Sequence, residues 1–246
     1  MNAITITNLS KTYTIKSGKR HSVQGINITI PQGTVFGFLG PNGAGKTTTM
    51  KMLVGLTKPT HGHITIGDLP PQHIDTKRII GFMPETPSFY LYLTGYEFLD
   101  FVADIFSLGA KQEVIDRLLR DVDLYHAKDL YIKSYSKGML QRLGLAQALV
   151  NDPDVLFLDE PLDGLDPLGR AHIKKIILEL KSRGKTVFFN SHILSDVEEI
   201  CDLVAIIDNG KIIATGSPNT ITGTHKDLED AFVHLITNNR AEKHHA

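Results

Sequence analysis

One cysteine, Cys201, occurs in 246 residues. That excludes an internal disulfide framework and fits a reducing compartment. No apolar run approaches the roughly 20 residues needed to cross a bilayer. The opening "MNAITITNLS" lacks the basic start and apolar stretch of a signal peptide. A soluble, cytoplasmic protein is expected, with any membrane role exerted through a partner. Neither sign of charge is in excess, since 26 basic and 27 acidic residues leave a formal net charge of −1. This balance is unlike that of a general nucleic-acid binder, so no nucleic-acid partner is expected. Internal repeats, low-complexity segments and coiled-coil heptads are also missing. What is present is an ordinary apolar share, 41% of residues, enough for a substantial core.

The first part of the chain reads as strands. "AITITNL" and "GINITIPQG" alternate, and "TVFGFLG" is a near-continuous apolar run, as in a strand covered on both faces. "KTTTMKMLVGL" reads as a helix with Met50, Leu53 and Val54 on one face, and "RIIGFMPE" as another buried strand. Between about Gly95 and Val150 the spacing becomes helical. Phe98, Leu99, Phe101, Val102, Ile105 and Phe106 are expected to form one broad apolar face. Strand and helix alternation then resumes with "DVLFLDEP", "PLGRAHIKKIILELKSRG", "KTVFFNSH" and "ILSDVEEI". "DLVAIIDNGKIIATG" reads as a hairpin turning at Asn209-Gly210. A polar tail follows, broken by a short amphipathic helix in "LEDAFVHLI". These patterns define an α/β fold with an antiparallel portion at the N-terminus and a helical subdomain inserted into a strand-rich frame.

"GPNGAGKTTTM", from Gly40 to Met50, carries the first chemical signal. Gly40, Gly45, Lys46 and Thr47 match G-x-x-x-x-G-K-[ST] between a predicted strand and a predicted helix. A flexible glycine turn is the bland reading. The chemical one is that bare amides ahead of a helix N-terminus form a nest of donors for phosphate oxygens. Gly40, Pro41, Asn42, Gly43, Ala44 and Gly45 would line that nest. Lys46 would reach the β- and γ-phosphates. The Thr47 hydroxyl would ligate Mg²⁺, with Thr48 on the α-phosphate side. Downstream, the apolar run "VLFL" ends in Asp159 and Glu160. A carboxylate at the end of a buried strand is costly without a cation or donors. Beside a phosphate loop, Asp159 would hold Mg²⁺ through water and Glu160 would polarise an attacking water.

"SYSKGMLQRLGLAQALV", just before that strand, resembles the signature segment of the ABC ATPase family. Ser136 and Gly138 match the family's L-S-G-G-Q. Lys137 replaces its first glycine and Met139 its glutamine, as in the drug-export and ABC-2-type subgroup. Ser136 with the amides of Gly138 and Met139 would form a second anion site at a helix start; an ordinary N-cap by Ser136 is the simpler reading. Further positions follow in the family's order. "DGLDP" resembles its D-loop, which places Asp166 at a dimer seam. His192 occupies the position of the histidine that contacts the γ-phosphate. Tyr13 in "LSKTYT" matches the aromatic that stacks on adenine, although a strand tyrosine packing on its neighbours would look the same. Glu85 stands where the family usually has glutamine; a carboxylate can hold a metal's shell or a water, but it donates no amide hydrogen.

The resemblance covers nearly the whole chain and implies a single ABC ATPase domain over residues 1–246. The nucleotide-binding core would comprise 1–85 and 151–216, the helical subdomain 86–150 and the C-terminal tail 217–246. It also implies ATP and Mg²⁺ as cofactors, Glu160, His192 and Lys46 as catalytic residues, and a head-to-tail pair of ATPase subunits with Ser136, Lys137, Gly138 and Met139 facing the other subunit's ATP. The expected partner is a separate integral membrane permease, with this chain peripheral on the inner face of the cell membrane and the direction export. A soluble ABC ATPase acting on ribosomes or DNA, and a regulatory nucleotide-binding module with little turnover, are the other readings.

Overall fold

The computed structural model describes residues 1–16 and 18–244; His245 and Ala246, at the end of the predicted tail, lie outside the described residues. Two long strands, β1 (Asn2–Ile15) and β2 (Gly18–Pro31), open the chain and pair antiparallel. They are followed by β3 (Val35–Leu39), α1 (Lys46–Leu53) and β4 (His61–Ile66). β4 pairs with the other edge of β1, giving a three-stranded antiparallel sheet in the order β2-β1-β4. Its alternating residues Ile4, Ile6, Ile26, Ile28 and Ile30 turn inward and are buried, as the period-2 pattern requires.

A short helix, α2 (Ile74–Ile79), leads into β5 (Ile80–Met83). Three helices follow, α3 (Gly95–Ile105), α4 (Lys111–Asp121) and α5 (Lys137–Ala148), with two single 3₁₀ turns between α4 and α5. The chain then returns through β6 (Val155–Asp159), α6 (Pro167–Ser182), β7 (Thr186–Ser191), α7 (Leu194–Ile200) and the hairpin β8 (Leu203–Asp208) and β9 (Lys211–Gly216). Two helices, α8 (Pro218–Thr222) and α9 (Leu228–His244), end the described chain. The second sheet has six strands in the order β5-β6-β7-β3-β8-β9; β9 is antiparallel to β8 and every other neighbouring pair is parallel.

The two faces of this sheet bury different clusters. Phe36, Phe38, Phe157 and Phe188 face the antiparallel sheet and α1, together with Met50, Met52 and Leu53. Leu39, Leu156, Leu158, Val187 and Phe189 face the helices, with Leu99, Leu119 and Leu143. Covered on both sides, β3, β6 and β7 are buried at every position, which is why their sequences are runs rather than alternations.

Two helical expectations change. Phe98, Leu99 and Val102 of α3 are buried, but Phe101 is 45% and Ile105 65% exposed. The partner helices α4 and α5 cover only one stripe of α3, so its broad apolar face is half outside. Tyr90 meets the Phe101 ring edge-on at 5.8 Å and is itself exposed. The short amphipathic segment in the tail is part of the 17-residue α9.

Candidate functional site

Parallel strands in one sheet end on one side, and the carboxyl ends of β3, β6 and β7 are adjacent. Open α/β sheets bind ligands outside that edge. After β3 the backbone turns at Gly40, where an added Cβ would lie 2.3 Å from the Ile207 carbonyl oxygen. Gly45, the residue before α1, holds φ at 117°, and a Cβ there would lie 2.5 Å from the Ser22 carbonyl oxygen. No side chain fits at either position. A register shift in the β1–β2 pair between Lys11 and Thr12 marks an irregularity in this stretch, where the Ser22 backbone abuts the loop. The Ser22 hydroxyl pairs with that of Thr48 at 2.9 Å. On the far side, the amide of Gly210 at the β8–β9 turn donates to the Ala44 carbonyl at 2.8 Å. The loop is therefore clamped between a strand and a hairpin tip.

Lys46, the first residue of α1, is 8% exposed. Its ammonium donates to the Gly40 carbonyl at 2.6 Å, which draws the side chain back over the loop. Burial lowers its pKa, opposed by the charges of Glu160, Asp159 and Glu85. Asp159, at the end of β6, is 4% exposed and accepts a hydrogen bond from the Asn190 carboxamide at 2.7 Å. Burial raises its pKa; the Asn190 bond lowers it, Glu85 and Glu160 raise it further, and Lys46 lowers it.

Glu160 follows with φ at 51°, a left-handed conformation that costs a non-glycine residue on the order of 1–3 kcal/mol. The neighbourhood holds it there. Its amide donates to the Asn190 carbonyl at 3.2 Å, and its own carbonyl accepts from the Gln141 side chain at 3.2 Å. Its carboxylate contacts His192 Nδ1 at 2.8 Å and accepts from the His192 amide at 3.2 Å. His192 lies just past β7, and its side chain is 54% exposed against 12% for Glu160.

These groups line one cleft of about 370 Å³, shared by Pro41, Asn42, Gly43, Gly45, Lys46, Thr47, Thr48, Glu85, Glu160 and His192. Asp159 lies beneath it. The chemistry suits a polyphosphate and a hard cation. Three carboxylates, Glu85, Asp159 and Glu160, act on one buried lysine. Thr47, Glu85 and Glu160 bring oxygen donors to the cleft. That fits Mg²⁺, which takes one or two protein oxygens together with substrate phosphates and water.

Sequence reasoning missed Arg20, Ser22 and Asp163, which also line the cleft, and Asn190 beneath it. Arg20 and Ser22 come from β2, brought in by strand pairing; Asn190 is the polar residue near the end of "TVFFNS", the one local signal among them. Tyr13 is not among the lining residues. It pairs across the strands with Arg20, and the Lys11 ammonium lies 5.0 Å from its ring centre.

Ser136, Gly138 and Asp166 do not reach this cleft. They line a second hollow of about 770 Å³, together with Gly164, Leu165 and Arg142. Ser136 caps α5 by accepting from the Met139 amide at 3.3 Å, and Asp166 caps α6 by accepting from Gly169 at 2.7 Å. Lys137 and Met139 are not among the hollow's lining residues; the Lys137 side chain lies beside Gly164 and pairs with Asp163 at 3.0 Å. One chain thus carries a phosphate cleft and, apart from it, a surface of helix N-termini.

The fold and the cleft define a P-loop nucleotide-binding cassette. Residues 23–163 match the model of the ABC transporter family, and the chain belongs to that family. An uncharacterized ABC transporter ATP-binding protein of Synechocystis is 48% identical over 216 residues, 86% of this chain and 61% of that protein. The fluoroquinolones export ATP-binding protein of Mycobacterium tuberculosis is 43% identical over 202 residues, 81% of this chain and 66% of that protein. The chain thus spans about three fifths to two thirds of the length of these curated relatives. Among solved structures, an ATP-binding subunit of an ABC transporter superposes with a TM-score of 0.86 at 28% identity, covering 95% of this chain and 99% of that one. The ABC ATPase fold expected from the sequence is the fold observed.

Proposed function

We propose that the chain binds and hydrolyses ATP as the motor subunit of an exporter whose membrane-spanning permease is a separate chain. The observation that carries the reading is the contact between Glu160 and His192 at 2.8 Å, at the mouth of a loop built for phosphate. Lys46 and the loop amides neutralise the phosphate chain. Bound Mg²⁺ would draw charge from the β- and γ-phosphate oxygens; Thr47 and, through water, Asp159 would hold it, with Glu85 as a further oxygen donor. Glu160 accepts a proton from the attacking water. The His192 amide and ring hold that carboxylate in place, and the ring faces the γ-phosphate. Tyr13 stacks on adenine at the β1–β2 end.

The second hollow completes the reading. Ser136, Lys137, Gly138, Met139 and Asp166 meet the ATP of a second ATPase subunit, so that nucleotide closes a head-to-tail pair. The domain division follows, with a core of 1–85 and 151–216, a helical subdomain over 86–150 and a tail from 217. No helix among the described residues is long and apolar enough to cross a membrane. The chain works at the inner face of the cell membrane through its permease, toward which the exposed stripe of α3 turns. Export as the direction follows the mycobacterial relative, whose name states it.

Two measurements test this. Glu160→Gln lowers ATP turnover about 10²- to 10⁴-fold while leaving nucleotide binding in place; wild-type turnover in that variant would remove Glu160 from the mechanism. Solubilising native membranes and purifying the tagged chain brings down a polytopic membrane protein in comparable amount. Ribosomal or DNA-repair proteins alone would replace the transporter reading with a soluble one.

A further inference from the structure

The ATP cleft contains a cation that no sequence motif assigns. Arg20 lies on β2, opposite Tyr13 of β1, and directly opposed residues of an antiparallel pair project from the same face. It lines the cleft together with the phosphate loop. One terminal guanidinium nitrogen, Nη2, lies 4.0 Å from where a Cβ of Gly43 would be, so it stands over the middle of that loop. Among the described residues, Arg20 makes no hydrogen bond, ion pair or ring contact, although Glu85, Glu160 and Asp163 line the same cleft. Lys46, by contrast, is drawn back onto loop carbonyls. The cleft therefore presents one exposed fork of donors, held by strand pairing and not by a flexible loop, above backbone amides that suit phosphate.

The geometry points to Arg20 as a direct ligand of the nucleotide's phosphate chain, closing over it from the β2 side while the loop amides and Lys46 hold the other. A guanidinium is the side chain best matched to bidentate contact with phosphate, and a strand position leaves it little to reorganise. This inference rests on the ATP-site reading above.

The test is ADP affinity by titration calorimetry on the full chain, for wild type, Arg20→Ala, Arg20→Lys and Lys46→Ala. Arg20 is exposed, and its replacement leaves the thermal unfolding midpoint near the wild-type value. The expected result is about a tenfold weaker Kd in Arg20→Ala, the scale of one charge-assisted hydrogen bond, with partial recovery in Arg20→Lys. Wild-type affinity in Arg20→Ala, with weakened binding in Lys46→Ala, overturns this inference and leaves the ATP site standing. A wild-type chain that binds no ADP overturns both.

Discussion

Asp159 shows what a buried carboxylate demands. Among the described residues its one hydrogen-bond donor is the Asn190 carboxamide, and burial already raises its pKa. Asn190→Ala removes that donor and costs about 1–3 kcal/mol near neutral pH. The sign of the pH dependence is fixed. A carboxyl whose folded pKa lies above its unfolded one binds protons more readily when folded, so its contribution to stability worsens as pH rises between the two values. The variant raises the folded value further. Its deficit against wild type is therefore largest above that range and shrinks once both proteins carry a protonated Asp159. Urea unfolding of both at pH 7 and at acidic pH measures the two deficits. At the same scale, Lys46→Ala removes a buried ammonium from the loop, and nucleotide affinity falls roughly 10- to 100-fold in equilibrium binding.

Between elements, Lys137 departs from the family's glycine and joins α5 to the segment after β6 through Asp163. Its hydrogen bond is the first cause of the low Asp163 pKa. Both side chains are well exposed, 68% and 44%, so solvent screens the pair. Lys137→Ala costs less than about 1 kcal/mol. That small loss is present above the carboxyl's unfolded pKa and disappears as pH falls through its folded pKa; Asp163→Asn adds nothing to it in a double-mutant cycle of denaturation free energies. A coupling well above 1 kcal/mol would show the pair to be far less screened than its exposure indicates.

Legibility of the fold divides at this same scale. The phosphate loop, β6 with Asp159 and Glu160, and the Asn209-Gly210 hairpin were readable because each depends on a few adjacent residues. The six-residue α2 and five-residue α8 are too short to show a helical period. Arg20 enters the cleft only through pairing of β1 with β2, and Asn190 meets Asp159 only because β6 and β7 are neighbours. The exposure of Phe101 and Ile105 is set by where α4 and α5 stop covering α3, which periodicity does not encode.

For the molecule as a whole, Cys201 is a reporter. Its thiol packs against β3, where a Cβ on Gly37 would lie 2.9 Å from Sγ, and burial pushes its pKa well up. The residue is half-buried, but a thiol packed against the sheet and held protonated reacts slowly. Labelling by a thiol reagent at mildly alkaline pH is expected to be slow in the native chain and fast in urea. Saturating nucleotide slows it further, because a ligand that binds only the folded state lowers the population that opens. Rapid labelling without denaturant would mean that the sheet opens locally at β3.

The amide of Gly210 bonded to Ala44 has a practical side. By sequence, Asn209-Gly210 is the kind of surface turn chosen for grafting an epitope or a fluorescent domain. Here the tip is a strut under the phosphate loop, also tied to β2 by the Gln24 side chain on the Asn209 carbonyl at 2.8 Å. An insertion there would slacken the loop it appears to stand clear of. Grafts belong at Gly109, where a new side chain meets nothing within 4 Å.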